Sequence, residues 1–127
     1  MYSSTLCSCS ARIEATIFFG GAVIDIWAPK AAWLRAFKQS GIGEIFDAMS
    51  FSSDHGMVKP SPKPFELVLD TLNLVNTQAV VIGDSLRRDL GGAKNASIDC
   101  ILVGGAKHPD ALGAFSSLLD FSEQITA

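Results

Sequence analysis

Residues 79–89 read Ala-Val-Val-Ile-Gly-Asp-Ser-Leu-Arg-Arg-Asp, and this stretch decides the fold. The continuous apolar run before Gly83 predicts a strand that is covered on both faces, as in a parallel sheet. A helix is predicted from Arg87 to Asn95, so Asp89 falls in its first turn. Asp84 at the strand end and Asp89 in the helix therefore point to one place above the sheet.

Two carboxylates at one point are typical of a site for a hard cation such as Mg²⁺, often completed by a phosphate. Acids also favour helix N-termini, so turn and cap chemistry is the simpler explanation of Asp84 and Asp89. Upstream, residues 58–65 read Val-Lys-Pro-Ser-Pro-Lys-Pro-Phe. Lys59 can serve as a compact charge for the same phosphate, or it is a solvated loop residue. Lys63 is predicted to be a surface residue.

Outward from these segments, apolar runs alternate with helical stripes. This alternation predicts βαβ units in a three-layer, Rossmann-like α/β fold with a parallel sheet and no cap domain, with Asp84 and Lys59 following adjacent strands. Residues 1–14 are expected to be irregular and residues 15–127 to form the core, in which Gly20-Gly21 divides two strands and residues 52–56 form a loop. Strands are predicted at 16–19, 22–26, 46–51, 79–82 and 98–103, and helices at 28–39, 64–73, 87–95 and 109–121.

Composition excludes several classes of protein. The net charge of −3 argues against non-specific nucleic-acid binding, which requires a basic face. Three cysteines do not form a disulfide framework, and Cys7 and Cys9 lack the partners of a zinc site. The run from 15 to 28 is interrupted by Asp25 and is too short to cross a membrane. A cytoplasmic protein is expected, and the 48% hydrophobic content favours a homodimer.

The pattern Lys59-Pro60-x-Pro62-x-x-Phe65, followed by a helix, a strand and Gly83-Asp84-Ser85-x-x-x-Asp89, resembles the third and fourth motifs of the haloacid dehalogenase superfamily. Most members of that superfamily are Mg²⁺-dependent phosphatases. The resemblance covers residues 20–105. It implies that Lys59 stabilises an attacked phosphate, that Asp84 binds Mg²⁺ and that Asp89 is the second acid of the motif.

The nucleophile of that superfamily lies in an Asp-x-Asp sequence at the end of the first strand, and this chain contains no Asp-x-Asp. In one register, Phe18 takes the place of the nucleophile and Gly20 that of the general acid. In the preferred register, residues 22–26 form the second-motif strand, Ile26 replaces its Ser or Thr, and the first strand is absent, which would expose a sheet edge. Asp25 is then the candidate for a substitute nucleophile, or else a turn residue at the strand end.

Three functions follow from these residues. The first is a degenerate hydrolase without turnover of its own that retains a weak Mg²⁺ and phosphate site. The second is an active Mg²⁺-dependent phosphatase or dehalogenase-like hydrolase with an unusual nucleophile. The third is a non-catalytic binding or assembly module on a Rossmann-like scaffold. For the first two, the expected ligand is a small phosphorylated or anionic molecule.

Overall fold

The computed structural model describes residues 2–12, 15–26, 29–41 and 46–126, with side chains in 20–26, 29–41 and 46–124. The side chains of Cys7, Cys9 and Phe18 lie outside this part. The strands are β1 (Tyr2–Arg12), β2 (Ala15–Asp25), β3 (Ala48–Phe51), β4 (Ala79–Gly83), β5 (Asp99–Leu102) and β6 (Gly113–Ala114). The helices are α1 (Lys30–Ser40), α2 (Ser52–His55), α3 (Lys63–Leu72), α4 (Gly91–Asn95) and α5 (Leu118–Thr126). A 3₁₀ turn (Asn76–Gln78) precedes β4, and a π-helical turn (Leu86–Leu90) leads into α4.

The strands form one sheet in the order β3-β2-β1-β4-β5-β6. The pairs β2–β3 and β4–β5 are parallel, as predicted, and β6, which was not predicted, is parallel to β5. Strand β1 lies between β2 and β4 and is antiparallel to both. The expectation of an irregular segment at residues 1–14 is therefore wrong for residues 2–12, and β1 occupies the place where an exposed edge was expected.

Strand β2 runs without a break through Gly20-Gly21, so the predicted division into two strands is wrong. Each of its residues pairs with β1, and Gly21 to Ile24 also pair with β3. Gly20 and Asp47 hold the start of this pairing: Gly20 N–H donates to Asp47 Oδ2 at 2.8 Å, and Asp47 N–H donates to Gly20 O at 2.7 Å. The paired neighbours, which a local pattern does not reveal, keep the strand extended.

Helices cover both faces of the sheet, which confirms the three-layer arrangement. On one face, α3 and α4 pack on alternate residues of β2, β4 and β5; this cluster includes Phe65, Val68, Ala93, Val23, Val81 and Leu102. On the other face, Trp33 and Phe37 of α1 pack near Ile24 and Phe51. Phe121 of α5 packs there against Ile82 and Ile101. The period of two along each strand sends neighbouring residues to opposite layers.

The predicted helices at 28–39, 64–73 and 87–95 are confirmed to within a few residues. Helix α1 ends at Gly41, whose φ of 77° is a left-handed conformation that glycine adopts readily. The helix predicted at 109–121 is wrong, because residues 113–114 join the sheet as β6 and α5 begins at Leu118. The loop predicted at 52–56 contains the single turn α2. None of the helices in the described ranges has the length and apolar character that a membrane span requires.

Candidate anion site at the carboxyl ends of the strands

Lys59 lies inside the protein rather than on its surface. Its side chain is 0% exposed, and its Nζ donates to Asp89 Oδ1 at 3.0 Å. The Asp89 side chain is 2% exposed. A charge this deeply buried is tolerated when it is paired and hydrogen-bonded. The sequence therefore predicted correctly that Lys59 belongs with the acids of the Gly83–Asp89 segment.

The second oxygen of Asp89 organises the turn that follows β4. Oδ2 accepts the backbone N–H groups of Asp84, at 3.0 Å, and of Ser85, at 3.1 Å. Gly83 leaves room for this carboxylate, since a Cβ there would lie 2.3 Å from Asp89 Cγ. Glycine is thus required at this position by close approach of a side chain, and Asp89 fixes the turn at the strand end.

Asp84 follows β4 directly and is exposed. Its neighbour across the sheet is the turn after β5, where Gly104 has a φ of 73° and a Cβ would lie 3.5 Å from Asp84 Cβ. The prediction that Asp84 and Lys59 follow adjacent strands is wrong. Lys59 follows β3 and Asp84 follows β4, and β2 and β1 lie between these two strands. Lys59 is nevertheless linked to the turn that carries Asp84, because Asp89 contacts the Lys59 Nζ and also accepts the Asp84 N–H.

Asp25 is the last residue of β2 and is half-buried. Its carboxylate accepts the backbone N–H of Lys59, with Oδ2 at 3.2 Å and Oδ1 at 3.4 Å. Burial raises the pKa of Asp25 above the ordinary value of 3.8, while the charge and N–H of Lys59 and the charge of Arg88 act in the opposite direction. Lys59 therefore links Asp25, through its backbone, to Asp89, through its side chain.

Arg88 was not singled out by the sequence analysis. It is half-buried in the π-helical turn, and its N–H donates to Ser85 Oγ at 3.0 Å. Its charge acts on Asp25, which is far away in sequence but lies at the same edge of the sheet. Its position directly before Asp89 is the signal that could have identified it.

Other polar residues near this edge have structural partners. Ser52 Oγ accepts Ile26 N–H at 2.8 Å and lies 3.0 Å from Ile26 O, so it ties α2 to the end of β2. His55 Nδ1 accepts Met57 N–H at 3.1 Å, and its Nε2 lies 2.9 Å from Ser50 Oγ. These contacts account for Ser52 and His55 without a catalytic role, and Ser53 is exposed.

The surface position predicted for Lys63 is confirmed, since it is exposed and lies 3.5 Å from Glu66. Asn95 Nδ2 donates to Pro60 O at 2.9 Å and so ties α4 to the segment that carries Lys59.

The Mg²⁺ site predicted at Asp84 and Asp89 stays a prediction, and the contacts of Asp89 bear on it. Mg²⁺ requires about six oxygen ligands, but three hydrogen bonds already occupy most of the acceptor positions of Asp89. Within the described ranges, no three His, Cys, Asp or Glu side chains are grouped to hold a metal ion. Asp84, with its exposed carboxylate, is the better placed of the two predicted ligands.

Comparison with known proteins places this arrangement in a family. A sequence profile described as haloacid dehalogenase-like hydrolase matches residues 28–103. Over 90 residues, the chain is 32% identical to the glyceraldehyde 3-phosphate phosphatase of Pyrococcus furiosus, which covers 71% of this chain and 37% of that protein. It is 28% identical over 78 residues to the ribulose-1,5-bisphosphate 5-phosphatase of Halopiger xanaduensis, covering 61% of this chain and 33% of that protein.

Solved structures agree with the sequence comparison. A haloacid dehalogenase phosphatase from Thermococcus onnurineus aligns with a TM-score of 0.66 and 27% identity, over 77% of this chain and 46% of that one. The chain thus spans less than half of each of these three relatives. The profile match extends over more than half of the chain and includes Lys59, Asp84 and Asp89. The chain belongs to the haloacid dehalogenase-like hydrolase family.

Proposed function

We propose that this chain is a haloacid dehalogenase-like domain that binds phosphate or another small anion weakly at the carboxyl ends of β2 and β4, without turning it over on its own. The observation that carries the proposal is the position of Lys59, which bridges Asp25 and Asp89 at this edge. Ligands bind at this edge in open α/β sheets. The two relatives compared above are phosphatases of glyceraldehyde 3-phosphate and of ribulose-1,5-bisphosphate, which favours a phosphate group as the ligand.

The absence of turnover is inferred from the attacking group. Transfer through a covalent intermediate needs a nucleophile about 3 Å from the phosphorus and in line with the leaving oxygen. The sequence contains no Asp-x-Asp to supply that carboxylate. Positioned charge from Lys59 and Arg88 stabilises a bound anion and some of the charge that develops in a transition state. It does not replace the nucleophile, so any background hydrolysis is expected to be slow.

A competing function is an active hydrolase in which Asp25 is the nucleophile. Its support is the position of Asp25, half-buried at a strand end and in contact with the Lys59 segment. Two facts stand against it. The carboxylate already accepts the Lys59 N–H, and no acid lies two residues before or after Asp25 to complete an Asp-x-Asp pair. The two functions make opposite predictions for activity.

A phosphatase assay on the purified full chain tests the proposal. The assay uses para-nitrophenyl phosphate with and without millimolar Mg²⁺, on the wild type and on Asp25→Asn and Asp84→Asn. We expect no release of product above the buffer rate in any of them. Steady turnover that is lost in both variants would overturn the proposal and identify Asp25 as the nucleophile. Calorimetry with millimolar Mg²⁺ on the wild type and on Asp84→Asn tests the role of Asp84, which stays a prediction.

Two further expectations belong to this proposal. A homodimer is supported by three exposed leucines in the last part of the chain, Leu112, Leu118 and Leu119, which are 67%, 49% and 68% exposed. Light scattering after size-exclusion chromatography measures the mass directly, and a monomer at all concentrations would contradict this expectation. A cytoplasmic location stays a prediction, which cell fractionation checks.

A further inference from the structure

The carboxylate of Asp25 occupies a backbone N–H group that an anion bound at this edge would use as a hydrogen-bond donor. It accepts the backbone N–H of Lys59 through both oxygens, at 3.2 and 3.4 Å. This amide belongs to the residue whose ammonium group supplies the positive charge of the site. A bound phosphate would therefore compete with Asp25 for this amide as well as for the surrounding charge.

The balance of charge at this edge is unfavourable for a dianion. Three carboxylates, those of Asp25, Asp84 and Asp89, stand against the two cations Lys59 and Arg88, and the net charge is one negative. Asp89 is already paired with Lys59, so its charge is largely neutralised inside the protein. Asp25 is the acid whose charge opposes an anion most directly, because it is half-buried and contacts the Lys59 backbone.

We propose that Asp25 limits the affinity of this site for doubly charged anions such as phosphate or sulfate, by acting as an internal anion that occupies the Lys59 amide. This inference rests on the proposed anion site and goes beyond it by naming the residue that limits binding. Asp25 is half-buried, so water screens its charge only in part. Removing its charge therefore makes the Lys59 segment available to an external anion.

Anion binding to the full chain tests the inference. Calorimetry measures sulfate, whose charge is constant near neutral pH, and inorganic phosphate, on the wild type and on Asp25→Asn and Asp25→Ser. Asp25→Asn removes the charge and leaves a neutral amide oxygen, which is a weaker acceptor of the Lys59 N–H than a carboxylate and is more easily displaced by an external anion. We expect both variants to bind sulfate at least about tenfold more tightly than the wild type, which corresponds to about 1.4 kcal/mol.

Asp70→Asn is the matched control, since Asp70 is an exposed acid on α3 and its loss changes the net charge equally. It should bind sulfate as the wild type does. Equal gains in Asp70→Asn and Asp25→Asn would overturn the inference, because the effect would then come from net charge alone.

The remaining outcomes separate this inference from the proposed function. Weak binding that is equal in the wild type and both Asp25 variants overturns the role of Asp25 and leaves the anion site intact. No binding by the wild type or any variant overturns both. Thermal unfolding of each variant shows whether it is folded, and Asp25→Ser decides the result if Asp25→Asn does not fold.

Discussion

Lys59 and Asp89 form a buried ion pair in which Nζ lies 3.0 Å from Oδ1, and the two side chains are 0% and 2% exposed. The pair joins the segment after β3 to the turn after β4, across a sheet in which these two strands are not neighbours. Asp89 also accepts the backbone N–H groups of Asp84 and Ser85, so it fixes the turn that follows β4. The same contacts that build the candidate site are therefore also part of the packing of the domain.

Lys59→Met is expected to lower the free energy of unfolding by about 3–5 kcal/mol, because it leaves the Asp89 carboxylate buried without its cation. Asp89→Asn should also destabilise the protein. The double variant should lose less than the sum of the two single losses, since it no longer buries an uncompensated charge. Urea unfolding measures all three.

Lys63→Met is the control for that cycle. Lys63 is exposed and its partner Glu66 lies 3.5 Å away, so the change should stay within about 0.5 kcal/mol. If Lys59→Met were as mild as Lys63→Met, the buried pair would contribute little and this account of the site would be wrong.

Gly83→Ala is expected to destabilise the domain by about 1–3 kcal/mol, as insertions into a close-packed site do. A Cβ at this position would lie 2.3 Å from Asp89 Cγ, and Asp89 is held by Lys59. Gly91→Ala is the matched control, because the nearest atom to its Cβ, in Pro60, is 3.5 Å away and the residue is helical. That variant should be neutral or more stable by up to about 1 kcal/mol. Thermal melts that fail to separate the two variants would contradict the close approach.

Asp25→Asn is expected to gain stability relative to the wild type as the pH rises. The pKa of Asp25 is raised above 3.8 in the folded protein, chiefly by burial, against the opposing charges of Lys59 and Arg88. Between the ordinary and the raised pKa, the folded state binds more protons than the unfolded state. The contribution of Asp25 is therefore fully present below the ordinary value and is lost as the pH rises through the folded one.

The measurement is the difference in urea midpoint between Asp25→Asn and the wild type at pH 4 and at pH 7. Comparing two variants at each pH cancels the titration of all other groups. A difference that is the same at both pH values, or larger at pH 4, would show that the pKa of Asp25 is not raised.

Cys100 is expected to resist alkylation in the folded protein. Its thiol is buried in β5, and burial, assisted by the charge of Asp89, raises its pKa to about 12 from an ordinary 9.0. Near neutral pH this leaves roughly a thousandfold less reactive thiolate. Mass spectrometry of the peptide that contains Cys100 should show little iodoacetamide labelling without urea and complete labelling in urea. Rapid labelling of the native protein would contradict the burial of this thiol.

The elements that the sequence predicted correctly carry strong local signals. Residues 79–82 are an unbroken apolar run bounded by a glycine, and β4 occupies residues 79–83. Phe65, Val68 and Leu69 recur at helical spacing, and all three are buried on α3. The same reasoning failed at residues 109–121, where residues 113–114 pair with β5. A two-residue strand has no period of its own, so only its partner defines it.

The candidate site was predicted in part. The motif spacing brought Lys59, Asp84 and Asp89 together, but it did not distinguish the buried acid from the exposed one. That difference depends on Gly83, whose missing side chain lets Asp89 turn inward toward Lys59. Asp25 was predicted only as a substitute nucleophile or a turn residue at the strand end, because its contact with the Lys59 amide joins residues 34 positions apart in the chain.

The sequence by itself determined the family, the alternation of strands and helices after residue 28, and the lack of an Asp-x-Asp nucleophile, because these reside in local patterns and residue identities. Only the tertiary structure decided the course of residues 2–12 and 15–25. Strand β1 is polar and serine-rich, and it enters the sheet because β2 and β4 offer it unpaired backbone groups on both sides. Such pairing satisfies the backbone N–H and C=O groups of any residue except proline, whose nitrogen has no hydrogen, so the amino-acid composition does not predict it.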